Sequence, residues 1–205
     1  MNQRTKGQAG PKESDGAWTI ESPSALVQGL AKESRFYYQG KPFIIQIVRP
    51  QNGQASPKKG HVAMEFKDGK LRIIWLPDIN RPHPLLVRRV LLEWYKQNAR
   101  QLIPERVRLL SKRMNLSYNR ITLKDQKTRW GSCSSLRNLN FNWRLIMAPP
   151  DVLDYVVIHE LAHLREMNHS KQFWSIVEQF MPQYRIHKDW LKENGAQLFT
   201  LKGDV

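Results

Sequence analysis

The sequence predicts an α+β fold, on three observations. Two early segments, "KPFIIQIV" and "HVAMEFKDGKLRIIWL", alternate apolar and polar residues at the period of a strand, and the second folds back at Asp68-Gly69, a strong hairpin signal. After "PDINRPHP" the apolar spacing lengthens to that of a helix, through Leu86, Val90, Leu91 and Trp94. Further on, the stretch "VVIHELAHLREMNHS", Val156 to Ser170, sets three histidines and two glutamates into some of the most apolar sequence in the chain. An imidazole in an apolar segment must satisfy two ring nitrogens, so a helix that needed only packing would more cheaply use Leu or Val there.

Taken in order, residues 1–34 are rich in Gly, Ser, Pro, Lys and Gln and poor in apolar positions, so a mostly disordered tail is expected. Residues 35–80 are expected to form a small antiparallel sheet and 81–205 a helical and catalytic region, with 35–205 readable as one compact domain. Two basic helices should precede the motif, Pro104 sitting in the first turn of the second. "NRITLKDQKTRWGSCS" and "LNFNWRLI" read as strands joined by a hairpin loop at Ser134 to Asn138. Pro149-Pro150 ends the second strand and opens the motif helix, where the charge of Asp151 suits the first turn. Ser170 is placed to cap a further helix through Phe180, stopped by Pro182, and a last helix runs from about Arg185 to Gly195.

Composition narrows the class. The single cysteine, Cys133, rules out an intramolecular disulfide framework and suits a reducing compartment, so a cytoplasmic protein is expected. The polar start "MNQRTKGQAGPKESDG" lacks the apolar segment of a secretory signal. No run approaches the roughly 20 apolar residues that cross a bilayer, so no membrane partner is expected. The chain carries 33 Lys and Arg against 18 Asp and Glu, a formal +15. Between Arg81 and Arg113, nine Lys or Arg face only Glu93 and Glu105, a net of +7. The helical spacing of Arg89, Glu93, Lys96 and Arg100 reads first as a solvated face that pairs within itself, and second as a surface for a polyanion.

His159 and His163 stand four apart, about 40 degrees around a helix and one turn along it, so both rings can reach one metal ion. Glu160 follows the first histidine, beside the metal but off the ligand stripe, as suits a base holding a metal-bound water; the pattern is HExxH. A third protein ligand is needed if one position is to hold water. His169 lies six residues after His163, roughly 240 degrees round a continuous helix and on its wrong side. It can bind only if the helix stops and turns back, which "EMNHS" permits, with Asn168 taking a left-handed conformation and Ser170 starting the next helix. Glu166 is the alternative third ligand, and His169 is preferred. Neutral imidazoles with a bound water favour zinc, one per chain, with manganese, cobalt or nickel as alternatives. Hydrolysis is the expected reaction.

With these residues in view, the chain resembles the YgjP-like metallopeptidase family, related to the SprT-like and other zincin peptidases. "RWGSCSS", "LNFNWRLI", "YVVIHELAHLREMNHSKQFW" and "DWLKENG" look like that family's successive signatures. The resemblance implies a zincin-like fold, zinc on His159, His163 and His169, and Glu160 as general base. It also makes the strand beside the motif helix the rim of a cleft, able to pair with an extended substrate. Gly131 and Ser132 would then meet the substrate backbone, and Arg129 and Arg144 would stabilise an oxyanion or grip an anionic group; the competing reading of each is structural. The leading expectation is therefore a zinc-dependent peptidase acting on a peptide or protein. The alternatives are a metal-dependent hydrolase of nucleotides or other phosphoanhydrides, and a nucleic-acid-associated protein with local or decayed protease activity.

Overall fold

The computed structural model describes residues 19–20, 36–49, 63–74 and 84–199. The expected tail over 1–34 lies outside these residues except for Thr19–Ile20, which form strand β1. Then follow β2 (Phe36–Tyr38), β3 (Lys41–Arg49), β4 (Ala63–Lys67), β5 (Lys70–Ile74) and the long helix α1 (Pro84–Arg113). Strands β6 (Arg120–Lys124), β7 (Gly131–Cys133) and β8 (Asn138–Asn142) lead through a 3-10 turn (Trp143–Met147) to helices α2 (Pro150–Ala162), α3 (Lys171–Phe180) and α4 (Tyr184–Leu198). The expected α+β class is the one observed. No helix among the described residues is long and apolar enough to cross a membrane.

The N-terminal sheet is mixed rather than antiparallel. β4 and β5 form the expected hairpin through Asp68 and Gly69, both at positive φ, and β2 and β3 form another through Gln39 and Gly40. However, β3 and β5 lie side by side and parallel, from Ile44 opposite Lys70 to Val48 opposite Ile74. Alternation in a sequence assigns residues to faces, and says nothing of strand direction. Here it puts Phe43, Ile45, Ile47, Leu71 and Ile73 on one buried face whichever way the strands run.

That face packs on α1, which differs from expectation in being one helix. Pro104 sits inside it. The buried stripe Leu91, Tyr95, Ala99, Ile103, Val107, Leu110 and Met114 continues unbroken past the proline. Each buried aliphatic side chain contributes about 1.5–3 kcal/mol, so the stripe outweighs the roughly 3 kcal/mol that an interior proline costs. Ring contacts of Phe43 with Trp94 and of Tyr38 with Trp94 join sheet to helix, and the Tyr95 hydroxyl donates to the Tyr37 carbonyl at 2.7 Å.

The second sheet has the order β6-β8-β7, with β6 parallel and β7 antiparallel to β8. The hairpin loop falls at Ser134 to Asn138 as expected, closed by Arg137 at positive φ. The strand read over "LNFNWRLI" stops at Asn142. There the Asn142 side chain accepts from the Arg144 N–H and the chain winds into the 3-10 turn, all five residues of which are buried. The β2–β3 hairpin tip docks on this turn, Gln39 and Gly40 donating to the carbonyls of Ile146 and Met147 at 2.8 and 3.0 Å. The early sheet therefore braces the segment that enters the motif helix.

α1 braces the same helix from the other side. Arg106 forms a two-pronged ion pair with Asp154 of α2, at 2.8 and 2.5 Å, and Arg165 donates to the Met114 carbonyl at 2.8 Å. Two of the many cations are thus structural. Arg106→Ala leaves the Asp154 carboxylate, 14% exposed, without its partner, and is expected to lower unfolding stability by about 1–3 kcal/mol in urea titrations.

Candidate metal centre and cleft

α2 is apolar because it is central: Val152, Leu153, Val156, Val157, Ile158 and Leu161 are all buried. One of its polar stripes carries His159 and His163, and the helix ends at Ala162, with His163 as the C-cap, earlier than the end expected at Asn168. The turn back is built differently from the expected left-handed Asn168. That residue is not at positive φ; its side chain instead accepts from the Ser170 N–H at 2.9 Å. Ser170 then caps α3 by accepting from the Phe173 N–H at 3.3 Å. An Asx turn and an N-cap in succession reverse the chain within three residues, which an Asn can do from an ordinary backbone conformation.

The reversal brings His169 to the other two. Nitrogens of His159, His163 and His169 lie within 4.8 Å of one another, and the Nε2 atoms of His159 and His169 are 3.1 Å apart. His163 Nδ1 donates to the Glu166 carbonyl at 3.1 Å, which fixes the tautomer and leaves Nε2 as an acceptor facing the cluster. Burial, then the charges of His163 and His169, push the His159 pKa down to about 3, so its ring is neutral. Three imidazoles converging on one point are a donor set suited to zinc, and the residues fit such an ion. Glu166 contributes its main chain and is not among the clustered ligand groups.

Phe173, fully buried, is the floor of the cluster, its ring centroid 4.5 to 4.9 Å from those of the three histidines. Trp174 stacks on His169 at 5.8 Å and on Tyr184 at 5.2 Å. Packing against Phe173 and Trp174 restricts the imidazoles' orientations, which is the preorganisation a metal site requires.

Glu160 is 5% exposed, with Oε2 buried and unpaired, and burial raises its pKa to about 8. A cation at the histidines acts in the opposite direction, favouring the carboxylate. The carboxylate lies against Gly131 of β7. A Cβ at that glycine would stand 2.5 Å from Glu160 Oε1 and 2.7 Å from its Cγ, so any side chain there must displace Glu160. Beside Glu160 and His159 opens a cleft of about 260 Å³, lined by Arg129, Trp130 and Gly131 before and in β7, Tyr155 and Val156 on α2, and Lys188 and Leu191 on α4.

Of the remaining candidates, Ser132 accepts from the Asn140 side chain at 3.1 Å and is not among the lining residues. Arg144 is 3% exposed, paired with Asp125 and stacked on Trp143 at 4.3 Å, and does not line the cleft either. Sequence reading passed over Asn142, Lys188 and Leu191. Asn142, fully buried, donates to the carbonyls of Gln126 and Arg129 and so fixes the loop that leads into β7. A polar residue alternating in a strand otherwise reads as solvent-facing, so nothing local marks it. Lys188 and Leu191 reach the cleft only because α4 packs back on α2.

A family model described as YgjP-like, metallopeptidase domain, matches residues 19–194. The chain therefore belongs to the YgjP-like metallopeptidase family, with the α+β class expected from the sequence, and is a metal-dependent peptidase by class. Among solved structures it is similar to the metallopeptidase zymogen abylysin of Pyrococcus abyssi, at 18% identity and a TM-score of 0.42, over 45% of this chain and 93% of that one. It is also similar to the metallopeptidase zymogen jannalysin of Methanocaldococcus jannaschii, at 24% identity and a TM-score of 0.38, over 44% and 92%. Comparison with the curated proteins gives no match.

Proposed function

We propose that the chain is a zinc-dependent peptidase in which His159, His163 and His169 hold one zinc ion and Glu160 is the general base. The observation that carries this reading is the convergence of three imidazoles beside a buried, unpaired carboxylate at the edge of a cleft. When bound, zinc supplies Lewis acidity, polarising a carbonyl and drawing the pKa of water towards 7. Glu160 accepts the proton of the attacking water and passes it to the departing amine. Gly131 keeps the carboxylate in place, because the space a side chain would fill is occupied by Glu160 itself.

Among the described residues β7 is one of the two edge strands of its sheet, so its outer main-chain groups are available to an extended peptide. Arg129 and Gly131 meet the substrate from the cleft wall, and Ser132 contributes main chain, its hydroxyl being engaged by Asn140. Arg144, held by Asp125 and Trp143, serves the fold. The competing reading is hydrolysis of nucleotides or other phosphoanhydrides, for which the same centre and the +15 charge speak. Incubating the zinc-loaded protein with a peptide library and a nucleotide panel tests the two. Peptide cleavage that stops with a chelator and returns with zinc is expected; cleavage of nucleotides alone would replace the peptidase reading.

A further inference from the structure

The cleft beside Glu160 has a charge pattern that its neighbours do not cancel. Its walls are largely apolar, from Trp130, Tyr155, Val156 and Leu191, and its two charged groups apart from Glu160 are the cations Arg129 and Lys188. They come from separate elements, Arg129 from the loop before β7 and Lys188 from α4. Both are exposed, and among the described residues neither has a carboxylate in ion-pair range. Lys188 is nonetheless positioned: its Nζ stands 4.5 Å from the centre of the Trp174 ring, which in turn stacks on His169. A lysine held over an aromatic face keeps its charge at one place without neutralising it. Asp189, the acid next in sequence, bears on the Tyr155 hydroxyl and does not line the cleft.

A largely apolar slot lined by a lysine positioned over an aromatic ring and by an arginine is complementary to a carboxylate carried on a short aliphatic stem. We propose that this cleft is a specificity subsite for a carboxylate adjacent to the scissile bond, either an acidic side chain or the free C-terminus of the substrate, with Lys188 and Arg129 as its recognition groups. This rests on the peptidase reading above. Phosphate is the rival anion, but largely apolar walls suit the methylenes of a glutamate better than a group that is charged on every side.

The test separates the two readings. Zinc-loaded Glu160→Gln protein, which holds peptides without turning them over, is titrated by fluorescence anisotropy with labelled peptides. One set carries Glu or Gln at each position in turn with an amidated terminus, and a second carries no acid but ends in a carboxylate or an amide. Binding at least tenfold tighter for the carboxylate member of one pair is expected, weakening as salt is raised. The preference should disappear in Lys188→Gln and invert towards Lys- or Arg-containing peptides in Lys188→Glu, with zinc content and circular dichroism unchanged because the side chain is exposed. Whichever set shows the preference identifies the source of the carboxylate. Equal binding of every pair, or a preference that survives both Lys188 variants, overturns the inference; if the unsubstituted enzyme still cleaves those peptides, the peptidase reading stands. Binding of nucleoside triphosphates with no peptide bound overturns both.

Discussion

Replacing Glu160 by glutamine lowers peptide hydrolysis by about 10²- to 10⁴-fold while zinc stays bound and the fold stays intact. The two halves of that expectation have separate physical grounds. Glutamine has the size of glutamate, so the space between α2 and Gly131 remains filled and no cavity opens beneath the edge strand. An amide oxygen cannot take a proton from water at useful rates, so the step proposed for Glu160 would be lost. The histidines behave in the opposite way. His159→Ala, His163→Ala or His169→Ala each removes one of the three proposed ligands, and elemental analysis should find most of the zinc gone. Glu166→Ala should keep it, since the atom Glu166 offers to His163 is its main-chain carbonyl. Full zinc in His169→Ala, or retained turnover in Glu160→Gln, would overturn the assignments.

The parts legible in the sequence are those whose cause is local. The spacing of His159 and His163 is a property of one helix, and Ser170 marks the next helix start by its own side chain, so both could be read directly. The reversal that delivers His169 was legible in outcome and not in means, because an Asn can end a helix either by a left-handed backbone or by an Asx turn, and the letter is the same. Other features depend on partners distant in the chain. Pro104 resembles a helix start until its flanking apolar residues are seen to share one buried stripe, and β3 and β5 run parallel for reasons no alternation pattern contains. Gly195 resembles a helix stop, yet α4 continues to Leu198. A Cβ at Gly195 would stand 3.0 Å from the Trp130 ring, so the glycine is there to let the cleft-lining tryptophan pack against the helix.

Gly131 shows the same limit, and its substitution should have the second largest effect. In the sequence the residue suggests room for a substrate backbone. In the structure the room is taken by Glu160, with Oε1, Cγ and Cδ at 2.5, 2.7 and 2.8 Å from where a Cβ would stand. Contacts that short force the carboxylate to move, and a displacement of about 1 Å in a catalytic group can cost about 100-fold in rate. Gly131→Ala is therefore expected to lower kcat by about that factor, with zinc content unchanged, because Glu160 is not a ligand. Gly131→Val should lower it further and destabilise the fold by about 1–3 kcal/mol, as overpacking does. A glycine that merely admitted substrate would behave differently: its substitution would raise KM and leave kcat nearly unchanged. The decisive comparison is a double-mutant cycle. If Gly131 acts by positioning Glu160, Gly131→Ala costs almost nothing further in the Glu160→Gln background, since the base it displaces is already absent. Additive losses in that cycle, or a KM effect alone in the single variant, would show that Gly131 serves the substrate alone and does not position Glu160.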